Sequence, residues 1–144
     1  MEFENKAHEL IMHIQIIRDS FFIIDKRNPA VCKVLGTHEA TVLFNIGFEG
    51  LPAMSEIAEK MSLRLSSISW VVNKLEDKKF VRRVRSDINR RIVRVELTDS
   101  GKEIFKVVQG CYMHVSRTIL QALNPEEQDV LINLFRKISN KFNG

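Results

Sequence analysis

The sequence predicts a mainly α-helical protein that carries one small β-hairpin. Most of the 144-residue chain spaces its apolar residues three and four apart, which is the period of an amphipathic helix. The exception is Val93–Leu97, where apolar and charged residues alternate with the two-residue period of a half-buried strand. Because 44% of the residues are apolar and only three are proline, we expect one compact subunit with its own core.

The first predicted helix runs from Phe3 to Ile24 and has a strong apolar stripe. Its members recur at alternating intervals of four and three: Phe3, Ala7, Leu10, Ile14, Ile17, Phe21 and Ile24. A stripe of this kind requires an apolar surface to cover it. Asn28-Pro29 is expected to end the helix, and a connector to Gly36 follows.

Three helices are predicted before the hairpin. Thr37 is the expected N-cap of the first, which extends to about Gly47, and Ser55 is that of a short one ending near Met61. The apolar side of the first should comprise Ala40, Leu43, Phe44 and Phe48. The third covers about 65–79, with apolar positions at Leu65, Ile68, Val72 and Leu75.

The hairpin and two further helices complete the chain. Phe80–Arg85 pairs with Val93–Leu97, and the loop Ser86–Arg91 lacks the Asn-Gly or Asp-Gly of a tight turn. Thr98-Asp99 begins a long helix with the apolar row Ile104, Val108, Cys111, Val115 and Ile119. Asn124 to Glu127 form a capping box with proline at the first helical position, and they begin the last helix. A short helix, a tight turn, an amphipathic helix and a basic hairpin make a winged helix-turn-helix.

Positive charge is concentrated in this predicted motif. Residues 60–94 contain eleven Lys/Arg and three Asp/Glu, whereas the rest of the chain contains eleven basic and fifteen acidic residues. Since the whole chain has a net charge of only +4, this segment carries all of the excess. A nucleic-acid partner is the functional interpretation, and a solvated basic face is the alternative.

Met54–Phe105 resembles the core of the MarR family of transcriptional regulators. Ser55-Glu56-Ile57-Ala58 is similar to the first helix of its motif, and Ser66-Ser67-Ile68-Ser69 through Leu75-Glu76 to its recognition helix. Val81–Arg91 is similar to its wing, and Leu97–Lys102 to the start of its dimer helix. The resemblance implies a homodimer that binds pseudo-palindromic double-stranded DNA and acts as a repressor or an activator. It also implies a response to a small lipophilic or anionic effector, and a ligand-responsive repressor is the favoured form.

The candidate DNA contacts lie on the recognition helix and the wing. They are Arg64, Ser66, Ser67, Ser69, Trp70, Asn73, Lys74, Arg85, Asn89, Arg90 and Arg91. Serines at a helix N-terminus can hydrogen-bond to phosphates or base edges, although capping and solvation would also explain them. Trp70 stands where the family often has arginine, and it could contact DNA, pack over Lys74 or pack on a neighbouring helix.

Arg91 is the side chain that the resemblance places in the minor groove, with Arg90 beside it. Asn89 replaces the aspartate that usually orients this arginine, so it offers a hydrogen-bond acceptor without charge. Lys79 replaces a common glycine after the recognition helix, and we expect mild strain if that turn requires a positive φ. A solvated basic hairpin is the alternative interpretation of the wing.

The sequence contains no motif typical of a metal site, a disulfide framework or an enzyme. The four histidines and two cysteines are not spaced as metal ligands or as a disulfide framework. No phosphate loop or nucleophile motif is present, so we expect no enzyme and no cofactor. Two alternatives stay open: a winged-helix module that binds an acidic protein through Trp70, and a thiol sensor at Cys32.

One compact subunit with three parts is expected. Residues 1–36 form a dimerisation helix and connector, 37–98 the DNA-binding lobe, and 99–144 the C-terminal dimerisation helices. The terminal helices are too apolar for one thin subunit to bury, which favours a two-fold homodimer. We see neither a signal peptide nor a membrane-length apolar run, so a cytoplasmic location is expected.

Overall fold

The computed structural model describes residues 2–22 and 34–142. These form α1 (Glu2–Phe22), α2 (Thr37–Glu49), α3 (Met54–Lys60), α4 (Leu65–Asp77), β1 (Val81–Arg85), β2 (Val93–Leu97), α5 (Asp99–Gln121) and α6 (Pro125–Phe142). The order confirms the predicted winged helix-turn-helix with flanking helices. The predicted helix end at Asn28-Pro29, most of the connector and Cys32 lie outside the described residues.

Both N-caps predicted for the short helices are wrong. α2 begins at Thr37 with Gly36 as its N-cap, and α3 begins at Met54 with Ala53 as its N-cap. Ser55 is therefore already inside α3. Neither observed cap residue supplies a side-chain hydrogen bond.

The pairing of residues 52–53 with the hairpin explains the early start of α3. Ala53 forms an isolated antiparallel bridge with Arg94, and the Pro52 carbonyl accepts a 2.9 Å hydrogen bond from the Val95 amide. β1 and β2 pair antiparallel with Val81 opposite Leu97 and Arg85 opposite Val93. The wing sheet is thus fastened to the start of the helix-turn-helix by tertiary backbone pairing.

The core lies between α2, α3, α4, the wing sheet and the first half of α5. Its completely buried side chains include Val42, Leu43, Ile46, Ile68, Val72, Leu75 and Val95. Two expectations about this core are wrong. Phe48 is 66% exposed because the buried side of α2 turns toward Val42 and Ile46 instead, and Leu65 is 52% exposed because it is the first residue of α4.

A tight backbone contact joins the start of α5 to Phe80, the residue that precedes β1. A Cβ on Gly101 would lie 1.9 Å from the Phe80 carbonyl oxygen, so only glycine fits there. α5 starts where it was predicted to, with Thr98 as its N-cap, and the Thr98 hydroxyl oxygen accepts a 3.1 Å hydrogen bond from the Gly101 backbone N–H. The same hydroxyl donates to the Lys79 carbonyl at 2.6 Å. Lys79 has φ 64°, so this turn does adopt a positive φ, which is the condition under which mild strain is expected for a lysine.

The terminal helices bury little of their apolar surface within one subunit. α6 contains no buried residue, and its exposed apolar side chains are Val130, Ile132, Leu134, Phe135, Ile138 and Phe142. α1 likewise exposes Leu10, Ile14 and Ile17, and it contacts α5 through an edge-to-face pair of Phe21 and Tyr112. The predicted capping box is confirmed, since Asn124 and Glu127 exchange side-chain to backbone hydrogen bonds of 2.9 and 3.0 Å.

Candidate nucleic-acid interface

Salt bridges divide the basic residues of segment 60–94 into two groups. Five of them pair with carboxylates: Lys60 with Glu49, Lys78 with Glu39, Arg82 with Glu96, Arg83 with Glu76 and Arg94 with Glu56. The other six form no salt bridge to any residue in 2–22 or 34–142, and they are Arg64, Lys74, Lys79, Arg85, Arg90 and Arg91. We call these the uncompensated cations. They lie at the N-cap of α4, on α4 itself, in the turn after it and on the wing.

The N-terminus of α4 is open to an outside acceptor. Arg64 is its N-cap, with extended backbone and no side-chain hydrogen bond to the first turn. Backbone N–H groups in the first turn of a helix have no partner within the helix, and the helix dipole makes this end attractive to anions. Arg64, Ser66 and Ser67 are all exposed here, so a cation and two hydroxyls surround these amides.

Trp70 and Lys74 form a cation–π pair one helical turn apart. The Lys74 Nζ lies 3.6 Å from the centroid of the Trp70 ring, and the ring itself is 60% exposed. Of the interpretations left open for Trp70, packing over Lys74 is the one observed. The pair keeps the ammonium on the exposed side of α4 without neutralising it.

Asn73 and Ser69 are connected to the wing through Arg83 of β1. The Arg83 Nη2 donates to Asn73 Oδ1 at 2.7 Å, and a longer contact of 3.5 Å reaches the Ser69 carbonyl. Its Nη1 donates to Glu76 Oε1 at 2.8 Å. The guanidinium therefore cross-links two turns of α4 to the hairpin, and its charge is compensated.

The wing loop is ordered by polar residues. The Asn89 backbone N–H donates to the Ser86 hydroxyl at 3.3 Å, and the Arg91 backbone N–H donates to the side-chain Oδ1 of Asn89 at 3.1 Å. Asn89 thus orients the backbone of Arg91. Arg85, Asn89, Arg90 and Arg91 are all exposed. Ile88, at the tip between the arginines, is 99% exposed.

The predicted site residues therefore fall into two exposed sets, one on α4 and one on the wing. Ser69 and Lys74 are half-buried, and the remaining members are exposed. Two further residues at this surface, Arg83 and Ile88, are not among the contacts predicted from sequence. Ile88 has no sequence signal that separates it from a core residue, whereas Arg83 was counted only as one more basic residue.

The described part of the chain shows neither a metal-ligand cluster nor a membrane-spanning helix. No three His, Cys, Asp or Glu side chains within it converge as metal ligands. No helix among the described residues is long and apolar enough to cross a membrane.

The chain is similar in sequence and in structure to known transcriptional regulators. The model of the MarR family matches residues 37–93, which cover α2 to the start of β2. An uncharacterized HTH-type transcriptional regulator of Bacillus subtilis, YfiV, is 35% identical over 91 residues. That alignment covers 62% of this chain and 56% of the relative, so the chain spans little more than half of the relative's length.

Two solved structures share the fold. FabT of Streptococcus pneumoniae, crystallised in complex with DNA, superposes with a TM-score of 0.73 at 22% identity, covering 96% of this chain and 97% of FabT. BpsR of Bordetella bronchiseptica superposes with a TM-score of 0.71 at 20% identity, covering 94% and 98%. The structure of BpsR was determined to explain regulation of its DNA binding by 6-hydroxynicotinic acid.

Proposed function

We propose that this chain is a transcriptional regulator of the MarR family that binds double-stranded DNA as a homodimer, supported by the match of the family model to residues 37–93. One observation carries the proposal: every uncompensated cation of segment 60–94 lies at the N-cap of α4, on α4 itself, in the turn after it or on the wing. A cation without a carboxylate partner is free to neutralise a phosphate, and phosphate neutralisation dominates affinity for DNA. The competing hypothesis, a winged-helix module that binds an acidic protein, is not favoured by the match to the MarR family.

We assign α4 to the major groove. Ser66, Ser67 and Asn73 lie on its exposed side, where they would face phosphates and base edges. Arg64 and Lys74 add charge at the two ends of this surface. Ser69 and Trp70 support it, the first through its carbonyl contact to Arg83 and the second by holding the lysine.

We assign the wing to the minor groove. Arg91 would enter the groove, because a guanidinium suits the focused negative potential there. Arg85 and Arg90 would contact the flanking phosphates. Asn89 fixes the loop backbone that presents Arg91.

The dimer would be built from residues 1–36 and 99–144, and the DNA-binding lobe from 37–98. The exposed apolar side chains of α1 and α6 support a second copy of the chain as their cover, since such faces rarely stay open on a monomer. A two-fold axis through these helices would present two copies of α4 to successive major grooves, about 34 Å apart.

We further propose that the protein represses transcription and that a small lipophilic or anionic effector releases it. A dimer that covers one turn of duplex excludes other proteins from that turn. An effector that binds better to a form with a different spacing of the two α4 helices would shift the population away from DNA. BpsR, whose DNA binding is regulated by an aromatic carboxylic acid, supports the second half of this proposal.

Selection of bound duplexes from a random library tests the proposed function. We expect enrichment of a pseudo-palindrome whose half-sites are about 10 base pairs apart, bound by two subunits per duplex. Failure to bind any duplex at low salt would contradict DNA binding itself, and a site without two-fold symmetry would contradict the dimeric arrangement.

A further inference from the structure

We propose that Arg83 is a positioning residue that turns Asn73 into a fixed hydrogen-bond donor toward DNA, an inference that rests on the proposed function. Arg83 lies in the middle of β1, and its side chain is 28% exposed. It reaches back to α4 and holds one oxygen of Asn73 and one of Glu76, at 2.7 and 2.8 Å.

The chemistry of the guanidinium decides which way the Asn73 amide points. Arginine has only donors, so the atom that faces it must be the carbonyl oxygen, Oδ1. The Nδ2 group, with both of its hydrogens, is then directed away from Arg83. Asn73 is exposed, and the Nδ2 donors are available on the side of α4 that carries Ser66 and Trp70.

Glu76 compensates the charge of Arg83, so that Arg83 does not itself bind the DNA group that Asn73 contacts. One carboxylate oxygen accepts from the guanidinium, and the other lies 3.3 Å from the Arg83 backbone N–H. With its charge compensated and three of its five N–H donors directed to acceptors on α4, Arg83 acts on DNA through Asn73. The acceptor for Nδ2 is either a phosphate oxygen or an acceptor on a base edge, such as guanine N7 or O6.

Locking the amide before binding has a consequence for affinity. A free asparagine can present either its oxygen or its nitrogen, and choosing one rotamer costs free energy on association. Arg83 removes that choice in the unbound protein. Loss of Arg83 should therefore weaken the Asn73 contact even though Asn73 is still present.

A double-mutant cycle on DNA affinity tests the proposal. We expect Asn73→Ala and Arg83→Met each to weaken binding to the selected site by roughly tenfold, the loss of one hydrogen bond with a charged or well-placed partner. In the Asn73→Ala background, Arg83→Met should add only a small further loss. The effect of leaving Glu76 unpaired occurs on both edges of the cycle and cancels.

Arg82→Met is the matched control. Arg82 is the neighbouring arginine of β1, and it pairs with Glu96 at 2.7 Å on the other face of the strand. Its effect on affinity should be the same with and without Asn73. If Arg83→Met melts too low for the assay, Arg83→Lys replaces it in the cycle, since lysine keeps the charge but loses the planar fork.

Each outcome decides the matter. Strong coupling of Asn73 with Arg83, and none with Arg82, supports the proposal. An Asn73 effect confined to one base pair identifies a base edge as the acceptor, and an equal effect on random duplex identifies phosphate. Additive losses overturn the positioning role while leaving DNA binding intact. A wild-type protein that binds no duplex overturns the proposed function and this inference together.

Discussion

At the scale of single residues, the wing loop shows how one side chain can prepare another. Asn89 has no charge to offer Arg91, but its Oδ1 accepts the Arg91 backbone N–H and so fixes the turn from which the guanidinium projects. An aspartate would make the same contact. Asparagine in place of aspartate at position 89 therefore removes a negative charge from the loop, while the hydrogen bond to the Arg91 backbone is still made.

Arg91→Ala should weaken binding to the selected duplex by about 1–3 kcal/mol, the range for a specific arginine contact. Stability should change by no more than about 0.5 kcal/mol, because Arg91 is exposed. Arg90→Ala should cost less. Asn89→Asp should keep most of the affinity for the duplex, whereas Asn89→Ala should lose most of it. Equilibrium binding curves at one salt concentration measure all four variants. An Arg91→Ala protein that binds like wild type would remove the wing from the interface.

Several residue-level features could be predicted from sequence because their causes are local. The start of α5 at Thr98-Asp99 and the capping box at Asn124 both depend on residues within a few positions. The packing of Trp70 over Lys74 was one of the alternatives, since residues four apart share a helix face. The contact of Arg83 with Asn73 could not be predicted, because it depends on how the hairpin folds back onto α4.

At the scale of elements, tertiary pairing overrides local propensity at the start of α3. Ser55 is the better N-cap by residue type, yet the pairing of Pro52 and Ala53 with β2 fixes where the chain turns into the helix. The buried side of α2 was predicted incompletely for a related reason: its periodicity fits more than one face, and only packing against α4 and α5 selects between them.

The contact of Gly101 with Phe80 determines how α5 leaves the DNA-binding lobe. Gly101→Ala should lower the free energy of unfolding by about 1–3 kcal/mol, the cost of overpacking, because the new Cβ would collide with a backbone carbonyl that cannot rotate away. Gly110→Ala on the same helix meets no atom within 4 Å and should leave stability equal or higher. Chemical denaturation of both variants measures this. Equal effects of the two substitutions would refute the role of the contact.

At the scale of the whole molecule, the sequence predicts the helices, the hairpin and their order along the chain. The dimer is a proposal, and the exposed apolar side chains of the terminal helices support it. Deletion of residues 124–144 should abolish the dimer and expose apolar surface on the remainder. Asn140→Asp, near the exposed end of α6, is the control that should keep it. Sedimentation at micromolar concentration measures both. A full-length protein that stays a well-folded, soluble monomer under these conditions would contradict the proposed assembly.

The central claim is that the uncompensated cations, and not the basic residues in general, form the DNA-binding surface. The salt dependence of binding to the selected duplex tests it most directly, because the slope of log K against log salt counts neutralised phosphates. Arg90→Ala/Arg91→Ala should flatten this slope by about 2 to 4 for a dimer, at roughly one per lost contact. Lys60→Ala/Arg82→Ala removes the same charge from two ion-paired positions and should leave the slope unchanged. Equal flattening by the two double variants would contradict the claim.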